Sequence, residues 1–370
     1  MSARTRKAIV SFAAARPRAA TDRVPWIDTG RGIAILLVTL YHSTSWLLGA
    51  GFHVQWWITI DETLASLRMP LFFTLSGLFA PKWLRASWSD LLRSKVLLFV
   101  WVFLIWETIG ALFFQLGLVM QDKCCGVRDT VVGLVLSPIM PIYELWFIWA
   151  LALFFILARA TRRVDVRLQI GVAAIAAFVA LMGWSGINDG WEGVFKYYLF
   201  FVSGIYLRAG ILRFGSTPRR GLLVGALAVW AVISITVAAF GLTHLPGVYF
   251  VNSLAGVLGG IALSRFLTPV SFLARIGRQT LPIYLAHTPI ILAIAFVIHQ
   301  TPLLGPLLPL APILPPVIAG LAVVIALFVY RRVEGTPARF LYEPPPALSR
   351  SRTVHRTPSP VSPDTAEGPR

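Results

Sequence analysis

Charge is scarce in this sequence: only 13% of its 370 residues are Asp, Glu, Lys or Arg, about half the ~25% of a soluble domain. Cysteine is scarcer. There are two, Cys124 and Cys125, and adjacent cysteines bridge each other poorly, so a disulfide scaffold is excluded. The chain lacks the H-E-x-x-H metal pattern, the P-loop and the dinucleotide Gly fingerprint. It also lacks a G-x-S-x-G elbow, which argues against a covalent acyl-serine. There is no 20–50-residue repeat and no matched pair of short, broken spans, the usual pointer to an inverted-repeat transporter. What the chain has is apolar surface. The AVILMFWYC fraction is 57%, and with glycine this reaches about 65%, against roughly 45–50% in soluble proteins. A water-soluble fold of this size has no core large enough to hide it. A multi-spanning membrane protein is therefore expected.

Ten apolar runs are long enough to span a bilayer: 31–50, 67–84, 96–119, 142–158, 168–184, 194–210, 221–240, 248–266, 279–299 and 308–330. The first is too long for a signal-peptide core and reads as an uncleaved membrane helix. The second is the weakest by length. The expected fold is an all-α bundle of about ten transmembrane helices over residues 26–332. A disordered basic tail over 1–25 precedes it, and a disordered Pro/Ser/Arg-rich tail over 333–370 follows. With the amino terminus inside, 29 Lys and Arg fall on cytoplasmic segments and two, Lys123 and Arg128, on outer loops. This is a strong positive-inside bias and places both termini in the cytoplasm. The net charge of +17 is thereby explained without a nucleic-acid partner.

Ionisable groups inside spans are costly and mark candidate sites. In the first run Arg31 precedes His42 by eleven residues, about 20° past three helical turns and about 16.5 Å along the axis. The two share a face, and Asp28 stands three residues before Arg31, within pairing reach. The ninth run brings Tyr284 and His287 to a similar depth, and the third brings Glu107. Two imidazoles and a carboxylate in one layer suit acid/base chemistry or a proton relay. We expect His42, Tyr284 and His287 to line one continuous cavity, with His287 within about 10 Å of His42, because a polar ring facing lipid is left unsatisfied. Ser76-Gly77 in the second run reads first as helix packing, and Trp146 as an interface residue. Glu192 and Lys196 flank the outer end of the sixth run.

Several of these stretches resemble acyltransferase family 3. Trp26-Ile27-Asp28-Thr29-Gly30-Arg31-Gly32 with His42 is similar to the family's opening Arg-x10-His signature. Met69-Pro70-Leu71-Phe72-Phe73 with Ser76-Gly77, Leu145-Trp146-Phe147, and Leu281 to His287 resemble its later motifs, over roughly residues 25–331. The resemblance implies a membrane O-acyltransferase of the plasma membrane. It would move an acyl group, acetyl or succinyl foremost, from cytoplasmic acyl-CoA to a hydroxyl of a glycan or lipid-linked acceptor. His42 would be the catalytic base. Arg31 and Asp28 would serve the donor end with Arg93 and Lys95, which stand where the family carries a basic R-x-x-R that this chain lacks. Glu107, Trp146, Ser76, Tyr284 and His287 would line the acceptor side. Acyl-CoA is a co-substrate, and neither a bound cofactor nor a metal is implied. The rival reading from residues alone is a transporter or proton-coupled permease, which intramembrane His and Glu also suit.

Overall fold

A computed structural model describes residues 24–123, 126–141, 143–183 and 186–349. Cys124 and Cys125, residues 1–23 and residues 350–370 lie outside the described residues. Every regular element among the described residues is helical. The ten long helices are α1 (Pro25–Gly49), α2 (Gln55–Gly77), α3 (Leu97–Met120), α4 (Trp146–Ala160), α5 (Val166–Ala180), α6 (Asp189–Tyr206), α7 (Arg220–Ala239), α8 (Val248–Phe266), α9 (Thr280–Gln300) and α10 (Leu314–Val333). Each overlaps one of the expected stretches, with shifted bounds in places: α2 ends at Gly77 rather than near residue 84. Six segments are long and apolar enough to cross a membrane: α1, the helical run Trp88–Met120 that ends in α3, α7, α8, α9 and α10. Helices α4 and α5 are apolar but only 15 residues long. Helix α2 begins twelve residues before its expected run because Asp61 and Glu62 interrupt the hydrophobic signal without interrupting the helix.

Large apolar side chains stand exposed along α7 (Leu222, Val224, Val229, Val232, Ile235) and α10 (Val317, Leu321, Val324, Phe328). In water such faces would be unfavourable; against hydrocarbon they are at home. The chain is a multi-pass membrane protein.

The centre is held by α1, α2, α4, α6 and α9. Proline at the first turn of α1 suits a helix start, since the missing N–H has no helical partner there anyway. Its next turns carry Gly30 and Gly32, and these allow a close crossing. The short helix Ser271–Arg278 lies backbone to backbone on α1. A Cβ on Gly32 would strike the Leu273 carbonyl, and one on Gly277 the Asp28 carbonyl. A second crossing, Gly77 on α2 against Gly204 on α6, is equally tight. This accounts for Ser76-Gly77 as close helix packing. Between the crossings lies an aromatic core. Phe72 stacks on Phe147 at 4.6 Å between ring centroids, and Phe73 meets Phe147 at 4.6 Å and Phe154 at 5.1 Å.

Residues 334–349, expected as the start of a disordered tail, instead fold back as short helical turns at Pro337–Leu341 and Pro346–Ser349. The Trp101 and Trp106 indoles donate to the Phe340 and Leu341 carbonyls at 2.6 and 2.7 Å. The Tyr342 ring is buried and packs on Trp106 and Tyr330. Prolines here shape turns rather than prevent order.

Candidate active site

Helix α1 places His42 three turns beyond Arg31, as its periodicity requires. The His42 imidazole meets a carboxylate, but not Glu107. Its Nδ1 lies 3.0 Å from Glu144 Oε2. Glu144 sits just ahead of α4, whose first residue is Trp146. Its side chain and carbonyl are therefore outside the helical ladder and free to point inward, at a helix end where the dipole favours a negative charge. Oε1 accepts from Trp46 Nε1 at 3.1 Å, and Oε2 also accepts from the Thr288 hydroxyl at 2.5 Å. The Glu144 carbonyl accepts from the Tyr284 hydroxyl at 2.9 Å.

These partners set the proton positions. A carboxylate only accepts, so the hydrogen between them sits on His42 Nδ1, and Nε2 is the ring nitrogen that Glu144 does not engage. His287 lies behind, its ring centroid 5.1 Å from that of His42. Its Nδ1 faces the Tyr284 and Ile283 carbonyls at 2.7 and 3.2 Å, so that nitrogen holds the proton. The expected proximity of His287 and His42 is thus present. The expected role as cavity lining is not: His287 is 1% exposed and lines neither of the two cavities described next.

Two cavities flank this cluster. The larger, about 650 Å³, contains Arg31, Lys82, Arg85, Lys95 and Arg208 together with Ser76, Thr280 and Tyr284. Arg31 donates to Thr280 Oγ1 at 2.8 Å and lies over the Phe79 ring. Lys95 stands over Trp83 and Phe99. The smaller cavity, about 270 Å³, contains His42, Glu144, Tyr41, Arg68, Trp146, Asp189, Glu192, Lys196, Tyr197 and Tyr284. Its walls mix rings and charges: Trp146 stacks on Tyr197 at 5.9 Å, Lys196 donates to Glu192 at 2.7 Å, and Arg68 lies over Tyr41 with Asp61 at 4.0 Å. His42 and Tyr284 line one cavity, as expected, but without His287; Tyr284 and Phe147 also border the larger cavity.

Three expected site residues stand elsewhere. Arg93 is exposed and outside both cavities. The chain passes through a π-helical turn at Leu92–Val96, which turns Lys95 inward and Arg93 outward. Asp28 is buried, its carbonyl packed on Gly277, and lines neither cavity. Glu107 is buried within α3 and also lines neither; the carboxylate beside the imidazoles is Glu144. Lys82, Arg85 and Arg208 also line the basic cavity; they stand just past the ends of α2 and α6, where the period of those helices no longer sets side-chain direction. Among the described residues no group of three or more His, Cys, Asp or Glu is placed to hold a metal ion.

An imidazole held by a carboxylate, between a basic cavity and a polar one inside a bundle of apolar helices, points to a membrane enzyme. The family model of the acyltransferase 3 domain, described as an acyltransferase domain, matches residues 24–331. The chain belongs to acyltransferase family 3 and is a membrane acyltransferase. No curated protein and no solved structure matches it.

Proposed function

We propose that the protein transfers an acyl group, acetyl or succinyl foremost, from cytoplasmic acyl-CoA to a hydroxyl of a glycan or lipid-linked acceptor at the plasma membrane. The observation that carries this reading is the pair of cavities on either side of His42, Glu144 and Tyr284. Acyl-CoA carries several phosphate charges and cannot enter hydrocarbon. The cavity with Arg31, Lys82, Arg85, Lys95 and Arg208 offers cations suited to phosphates. These residues lie at the helix ends that the positive-inside bias assigns to the cytoplasm, with ten crossings and both termini on that side. The thin pantetheine arm then reaches inward past Ser76 toward Tyr284.

The acceptor enters the smaller cavity, whose aromatic rings and paired charges suit a polyhydroxylated group. The lone pair on His42 Nε2 takes the acceptor hydroxyl proton as the oxygen attacks the thioester carbon. Glu144 holds the imidazole in the required tautomer and stabilises the imidazolium that forms. The carbon–sulfur bond then breaks, and the thiolate receives the proton from His42, leaving ester and free CoA. The test is acyl-CoA consumption by the purified protein in membranes containing native acceptors. The reading requires free CoA to appear in step with acylated envelope material; transfer that proceeds without acyl-CoA overturns it.

A further inference from the structure

We propose that the Tyr284 hydroxyl is the hydrogen-bond donor that holds the oxyanion formed during acyl transfer; the inference rests on the reading of the site as an acyl-CoA-dependent transferase. The walls of the two cavities have two side chains in common, Phe147 and Tyr284. A thioester arriving through the basic cavity and a hydroxyl deprotonated by His42 can meet only there. Phe147 has no donor to offer. Tyr284 does, its ring 5.4 Å from that of Phe147 and 5.7 Å from that of His287.

The placement is built in. Tyr284 lies on α9 near Pro289, with Thr280 one turn below against Arg31 and Thr288 one turn above against Glu144. Its hydroxyl donates to the Glu144 backbone carbonyl at 2.9 Å, while the Glu144 carboxylate holds His42. The phenol and the base are thus registered to each other through one residue. Other donors are committed to one side. Arg31, Lys82, Arg85, Lys95 and Arg208 line only the basic cavity, and Arg68 and Lys196 only the other.

When the acceptor oxygen bonds to the thioester carbon, the carbonyl π pair moves onto oxygen. The phenolic O–H rotates from the Glu144 carbonyl to this stronger, charged acceptor. Collapse restores the carbonyl, expels the thiolate and returns the phenol to its resting bond. No proton leaves Tyr284 at any stage.

The test compares wild type, Tyr284→Phe and His42→Ala in full-length protein, with acetyl-CoA and succinyl-CoA as donors and free CoA as the readout. An oxyanion donor acts in the transition state rather than in binding. Tyr284→Phe is therefore expected to lower kcat by about 10²–10³-fold. Affinity for an unreactive thioether analogue of acetyl-CoA stays within about twofold of wild type, since such an interaction is absent from the ground state. The acid limb of the pH profile stays at its wild-type position, which separates this role from mere positioning of Glu144. A kcat near wild type, or a loss accompanied by a moved acid limb, overturns the proposal. If His42→Ala turns over like wild type, the reading of the site itself fails; if His42→Ala is inactive while Tyr284→Phe is fully active, only the oxyanion role fails.

Discussion

Glu144 holds His42 through Nδ1 and so orients Nε2, the nitrogen proposed to act as base, so the two residues should fail together. His42→Ala removes the proposed base, and acyl transfer should drop by about 10²–10⁴-fold while thermal unfolding stays near wild type. Glu144→Gln keeps the shape but loses the charge that selects the tautomer and stabilises the imidazolium. A loss of kcat of about 10²-fold or more, with little change in donor KM, is the expected steady-state result. Adding the Gln change to His42→Ala should cost little further, because the pair acts as a unit. Arg31 is a different case. Its guanidinium bonds Thr280 at one edge of the basic cavity. Arg31→Lys keeps the charge but loses the planar fork, so the donor KM rises while kcat holds. An unchanged KM would make Arg31 a structural anchor only.

At the scale of elements, two glycine crossings set where these side chains stand. Gly277→Ala drives a methyl group into the Asp28 carbonyl. The short helix Ser271–Arg278 must then lift from α1, at a cost of about 1–3 kcal/mol. A lowered unfolding temperature should accompany a raised donor KM, since Arg31 and Thr280 flank this crossing. The strap at residues 337–349 makes a separate contribution. Tyr342→Ala vacates a buried site between Trp106 and Tyr330 and should cost about 3 kcal/mol of stability, read as a drop in unfolding temperature, with kcat little changed.

These elements also show what could be read from residues alone. The shared face of Arg31 and His42, and the approach of His287, follow from helical period and from the cost of polar rings in lipid. Glu144 does not follow, because the apolar run 142–158 takes it into a span, whereas the helix starts only at Trp146 and leaves Glu144 in the turn ahead of it, where period does not set its direction; Glu107 sits inside a helix but lines neither cavity. Lys95 and Arg93 were indistinguishable until the π-helical turn separated them. The early start of α2 was hidden by Asp61 and Glu62, and the strap by its prolines, although Trp101 and Trp106 are the side chains that hold it.

Across the whole molecule an asymmetry of charge runs with an asymmetry of cavities. Basic residues gather at one end of the bundle and line the larger cavity; the smaller cavity, which shares Tyr284 and Phe147 with it, holds His42 and Glu144. The measurement that bears most directly on this arrangement is mass spectrometry of envelope glycans and lipids from otherwise identical cells making wild-type protein or His42→Ala. With an isotope-labelled acyl group supplied through the cytoplasmic acyl-CoA pool, the account predicts that one species gains the label in the wild-type cells and lacks it in the variant cells, at equal protein levels in the membrane. Equal labelling of that species in both cells would contradict it.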